Sequence, residues 1–166
     1  DQRLSRGLGD VYKRQGGCLW GVQEFFRHVP GVLDTEAGRA NGSSQMLDRD
    51  YDGYVECVRI DFDVNRVSVT QLIEYLFEII DPYSVDQQGP DIGKKYRTGV
   101  YSEDDRRLLE AKNFIQSRDD YAKIAVEVLH LSNYLKSADE HQDRLQSFPN
   151  EVCHLPKSLL HKYRRS

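Results

Sequence analysis

Cys18 is the residue whose surroundings point most directly to chemistry. Two glycines precede it and an amphipathic stretch follows at once, so the sequence places its sulfur where a helix begins. Unpaired amide groups and the positive end of the helix dipole face such a position. They lower a thiol pKa from about 8.5 and favour thiolate, the nucleophilic form. The plainer alternative is a buried, inert cysteine. Glu56 is the second candidate. Alternate residues of a strand share a face, which groups Glu56 with Val58, Ile60 and Phe62 and turns Cys57, Arg59 and Asp61 away. Desolvation of a carboxylate on an apolar face raises its pKa, the route by which glutamate becomes a general acid near neutral pH. Its plainer alternative is a strand-end glutamate reaching water. The third feature is Gly89-Pro90-Asp91-Ile92-Gly93-Lys94-Lys95-Tyr96-Arg97, a loop running into a strand, as pocket rims often do. Histidines 28, 130, 141, 154 and 161 lack zinc spacing such as HExxH, and His141 with Cys153 and His154 is a weak set. With no glycine-rich phosphate loop either, the expectation is no metal and no organic cofactor.

Periodicity supplies the elements that must hold these residues. Val22, Phe25, Phe26 and Val29 fall at i, i+3, i+4 and i+7 and predict a helix, stopped by Pro30-Gly31. Val32 to Ala37 predicts a short strand, and Tyr54 to Phe62 a longer one. Ser68 caps a second helix with Leu72, Ile73, Leu76, Phe77 and Ile80 inward, ended by Asp81-Pro82. A short strand near Thr98 to Tyr101 leads into a helix from Glu103 to about Ser117 that buries Leu108, Ala111 and Ile115. The run from Ile124 to Leu129 is the most strand-like of the chain, and a basic helix starts near Pro156. Alternating strands and helices predict one α/β or α+β domain in two layers. Residues 1–15 lack apolar period and read as a poorly ordered tail that need not belong to the domain at 16–166.

A chain of 166 residues favours a single core. Lys plus Arg is 23 against 27 Asp plus Glu, a net charge of −4, which weighs against a nucleic-acid or anionic-membrane binder. No stretch reaches the roughly 20 apolar residues of a membrane helix, and the first residues lack the apolar core of a signal peptide. Three separated cysteines suit neither a secreted disulfide scaffold nor a CxxC site, so a reducing cytoplasmic setting is expected.

Gly17-Cys18-Leu19-Trp20-Gly21, followed by Phe25, Phe26 and Pro30-Gly31-Val32, resembles the GCFWG signature of A-type peptide methionine sulfoxide reductases. The resemblance runs on in order through Asp52-Gly53-Tyr54-Val55-Glu56-Cys57-Val58, Asp81-Pro82, the run Gln88 to Thr98, and Ala138-Asp139-Glu140-His141-Gln142-Asp143. It implies a two-layer sandwich with a mixed sheet and a ferredoxin-like βαββαβ core. Cys18 resembles the family's nucleophile and Glu56 its proton donor. Asp91 and Tyr96 match residues that shape the sulfoxide site, Tyr96 by bonding the sulfoxide oxygen, and Trp20 matches the wall around the substrate methyl group. Cys153 stands where many members keep a recycling cysteine. Leu19 replaces a phenylalanine, and Tyr54 replaces a histidine. Tyr51 and Tyr54 both stand as the second oxygen-binding tyrosine, Tyr54 sharing the Glu56 face. Lys13-Arg14-Gln15 occupies the place of an apolar strand.

The implied activity is reduction of the S epimer of methionine sulfoxide, free or in proteins, through a sulfenic acid and a disulfide reduced by thioredoxin or a similar dithiol. It would repair oxidative damage without nucleic-acid or membrane partners. Two other readings remain: a cysteine hydrolase, which lacks a histidine in any motif with Cys18, and an inactive module that binds oxidised methionine.

Overall fold

The computed structural model describes residues 3–9, 18–43, 53–83, 85, 87–88, 91–92, 98–149 and 155–164, with the backbone alone described at 3–9, 18–19, 87–88 and 91–92. Apolar periodicity becomes packing at once in α1 (Cys18–Arg27): Val22, Phe25, Phe26 and Val29 are all buried, Phe25 and Phe26 fully. Gly31, at φ +92°, turns the chain out of that helix. A side chain there would also meet Val67 at 2.7 Å.

Before α1 lies β1 (Arg3–Gly9), and after it come β2 (Val32–Ala40) and β3 (Val55–Phe62). Ser68 caps α2 (Val69–Phe77) through a reciprocal pair: its hydroxyl accepts from Gln71 N–H, and the Gln71 side chain accepts from Ser68 N–H. Two short strands, β4 (Gln87–Gln88) and β5 (Asp91–Ile92), pair with each other. Next are β6 (Gly99–Ser102), α3 (Asp105–Gln116) capped by Asp104, β7 (Glu127–His130) and β8 (Tyr134–Lys136). Then follow a 3₁₀ turn at Asp139–His141, α4 (Arg144–Ser147) and α5 (Lys157–Leu160).

The main sheet has the order β7-β6-β1-β3-β2-β8. β3 runs antiparallel to β1 and β2, β6 antiparallel to β1, and β8 antiparallel to β2, while β6 and β7 are parallel and joined through α3. The architecture is thus mixed α+β with antiparallel and parallel pairing. Val58, Ile60 and Phe62 of β3 join α1, α2 and α3 residues in the larger core. The opposite face carries a smaller cluster of Ala40, Val55, Cys57, Tyr101 and Leu131, with Tyr134 against it. Gly38 lets β8 approach there, since a Cβ would lie 2.4 Å from the Tyr134 ring.

The structure adds strands β4, β5 and β8 that the sequence does not predict, and departs from the sequence reading at β1, β2 and β7. Arg3–Gly9 is a strand paired to β3 on one side and β6 on the other, whereas the sequence predicts a tail. Strand pairing is made by backbone groups, and the slot between β3 and β6 offers two ladders to a segment with few apolar side chains. β2 extends three residues beyond Ala37, because β3 and β8 both pair with its far end. β7 begins only at Glu127, and Leu129 is exposed. Ala125 N–H is drawn instead to the Pro82 carbonyl at 2.7 Å.

Candidate active site

Cys18 is the first residue of α1, so its place in the fold is the helix N-terminus that the paired glycines imply. Two residues along, Trp20 is buried at 3% exposure. Glu56, the second residue of β3, is 4% exposed and lies on the face of Val58 and Ile60, toward the helices. Arg39 of β2 stands directly opposite Glu56 in the ladder. Its guanidinium lies 4.4 Å from the centre of the Tyr54 ring, itself buried, a cation–π contact on the same face.

The segment after β8 closes this end of the molecule. Gln142 acts as a strand mimic: its amide accepts from Ala37 N–H at 2.8 Å and donates to the Ala37 and Ser137 carbonyls at 2.8 and 3.0 Å. Asp143 N–H donates to Gln23 Oε1 at 2.8 Å, tying the same segment to α1. Held from both sides, His141 presents Nδ1 to Trp20 Nε1–H at 3.3 Å. The acceptor role of Nδ1 puts the imidazole proton on Nε2, which faces Glu140 at 3.7 Å. Burial lowers the His141 pKa, Glu140 opposes this, and the nearby Arg39 and Arg144 charges lower it further. Arg144 also lies 5.2 Å above the Trp20 ring. A helix-start cysteine, a wedged indole and a buried strand carboxylate thus belong to elements converging on one edge, among positive groups suited to a developing oxyanion.

A family model described as peptide methionine sulfoxide reductase matches residues 14–165. The chain belongs to the peptide methionine sulfoxide reductase family. It is 38% identical over 156 residues to the peptide methionine sulfoxide reductase MsrA of Clostridium acetobutylicum, covering 89% of this chain and 96% of that one. Among solved structures it is similar to methionine sulfoxide reductase A of Corynebacterium diphtheriae, with a TM-score of 0.78, 25% identity, and 91% and 77% of the two chains covered. Mxr1 of Saccharomyces cerevisiae in reduced form aligns with a TM-score of 0.76 at 22% identity, covering 90% and 88%. The same yeast protein in complex with Trx2 aligns at 0.57 and 16% identity over 84% of each chain. The chain is an oxidoreductase of this kind, acting on methionine sulfoxide.

Within this reductase fold, Tyr54 just before β3 and Glu56 within it are buried, Trp20 is buried in α1, and Cys18 opens that helix. Asp91 starts β5, paired in register with Gln88. Tyr96, Tyr51 and Cys153 lie outside the described residues. The sequence reading passed over Arg39 and Arg144 and weighed His141 only as a metal ligand. Arg39 lies beyond the strand predicted to end at Ala37, so only the extension of β2 to Ala40 sets it opposite Glu56. For Arg144 only the fold brings the residue in. Among the described residues no helix is long and apolar enough to cross a membrane.

Proposed function

We propose that Cys18 performs the reduction of the S epimer of methionine sulfoxide, free or in proteins, as a thiolate nucleophile. It attacks the sulfoxide sulfur while Glu56 gives a proton to the oxygen, and Tyr96 with Tyr54 hydrogen-bonds that oxygen as negative charge grows. The S–O bond of the substrate and the transient sulfur–sulfur bond both break as the oxygen passes to the Cys18 sulfur, so methionine departs reduced by two electrons and Cys18 remains as sulfenic acid, oxidised by two. Cys153 thiolate then attacks the Cys18 sulfur, expels water and forms a disulfide, which an external dithiol reopens. Trp20 walls the substrate methyl group and Asp91 shapes the rim. Thioredoxin as that dithiol is supported by the yeast relative's complex with Trx2.

The observation that carries the reading is a buried Glu56 on the helix-facing side of β3, beside a helix that opens with Cys18, in a chain of this family. Residues 16–166, joined by β1 from residues 3–9, act as one reductase domain, and the order β6-β1-β3-β2 with β3 antiparallel to both neighbours supports a ferredoxin-like core. The three isolated cysteines support a reducing, cytoplasmic setting and a role in repair of oxidised proteins. Turnover of a methionine sulfoxide peptide with dithiothreitol tests the assignment. Wild-type chain should produce methionine and Cys18→Ser should not. Binding without turnover would favour the inactive module, and ester cleavage a hydrolase.

A further inference from the structure

The far end of α1 from Cys18 holds a second cluster of chemistry-bearing side chains that the reduction does not use. Glu24 and His28 are four residues apart, one helical turn, and so share a face. His161, just past α5, reaches the same point from the C-terminal segment. Glu24 Oε2 lies 3.2 Å from His28 Nε2 and 2.9 Å from His161 Nε2, and the three atoms all fall within 4.8 Å of one another.

We propose that Glu24, His28 and His161 form a three-ligand site for a divalent cation of the zinc class, fastening the C-terminal segment onto α1. An ion about 2.0–2.1 Å from tetrahedral donors sets those donors roughly 3.3 Å apart. Two of the three edges are near that length already, so loading asks mainly for adjustment of the imidazole pair. Two neutral imidazoles and one carboxylate are a borderline-hard set that suits zinc. The Glu24 side chain is 4% exposed, which removes most competing water.

Arg27 completes the arrangement from the other side. Its Nε and Nη2 donate to Glu24 Oε1 at 3.0 and 2.9 Å, and Nη2 also reaches Oε2 at 2.9 Å. Metal entry replaces the contact to Oε2 and leaves those to Oε1, an outer partner that orients a ligating carboxylate. A cleft of about 330 Å³ lined by His28, Arg27, Arg66 and Arg164 opens beside the cluster. Its guanidinium lining favours an anion as fourth ligand.

Cobalt titration of the reduced full chain is the test, because cobalt reports its ligands by colour. One equivalent should bind with the visible bands of a four-coordinate nitrogen and oxygen site and without the near-ultraviolet thiolate band that Cys18, Cys57 or Cys153 would produce. Zinc should displace it and raise Tm in a concentration-dependent way. His161→Ala, at a partly exposed position, should retain dithiothreitol-driven turnover and weaken cobalt binding at least tenfold. His28→Asn should do the same to binding. Absence of a saturable visible spectrum in the wild-type chain, a thiolate band, or unchanged affinity in a folded His161→Ala chain would each overturn the site and leave the cluster as a hydrogen-bonded clasp. None of these outcomes depends on the role of Cys18.

Discussion

Glu56 occupies a strand position where water is nearly excluded, with Arg39 across the ladder and the Tyr54 ring beneath that guanidinium. Burial favours the protonated carboxyl and a facing cation favours the carboxylate. Glu56→Gln keeps the shape and loses the transferable proton, so turnover should fall about a hundredfold, the low end of general-acid effects. A Glu56→Gln rate equal to that of the wild-type chain across pH 6 to 9 would remove Glu56 from the acid role. Trp20 offers a second test at this scale, as the only tryptophan of the chain. Its N–H donation to His141 requires a neutral Nδ1. Burial lowers the His141 pKa, so the pair should persist as pH falls to 6.5 and break only below it. A fluorescence titration should show one transition under pH 6.5, absent in His141→Ala; a midpoint above 6.5 would contradict the cause assigned to the shift.

Among the elements, α2 shows how local rules set the frame. The reciprocal Ser68–Gln71 cap satisfies two backbone donors that the helix start would otherwise leave open. Ser68→Ala should cost about 1 kcal/mol, read as a lower urea midpoint with unchanged slope. A change within error would mean water replaces the hydroxyl at no cost. Elements of this kind were legible in the sequence, because α1, β3, α2 and α3 each carry apolar spacing or a cap that acts within a few residues. β1 and β8 were not. Each takes its place from neighbours: β1 fills the gap between β3 and β6, and β8 lies along the far end of β2 over Gly38. The candidate site divides the same way. Cys18 and Glu56 announce themselves by local context and Trp20 by the family motif it belongs to, whereas His141 is brought to the indole by Gln142 reaching Ala37, a contact between residues 105 apart in the chain. No spacing rule contains that distance.

On the scale of the whole molecule, the sheet divides the cysteines. Cys57 is fully buried in the smaller cluster with Tyr101 and Tyr134, on the face turned away from Glu56 and α1. Its backbone is ladder-paired with Gly9 on one side and Gly38 on the other. To reach a sulfenic acid on α1 it would have to cross the sheet, and a disulfide needs Cα atoms within about 7 Å and suitably directed Cβ vectors. Cys153 stands free of that constraint in the sequence, between Pro149 and Pro156 and without strand or helix period. One equivalent of methionine sulfoxide, added without reductant, should therefore consume two thiols and leave Cys57 to be alkylated once the chain is unfolded. Peptide mapping should find Cys18 joined to Cys153. A Cys18–Cys57 bridge would mean that the sheet opens during turnover. A lasting sulfenic acid with no bridge would make Cys18 sufficient alone, with an outside thiol completing the cycle. The buried position of Cys57 sets the expected result, because delivering it to α1 would mean breaking the ladders on both sides of β3.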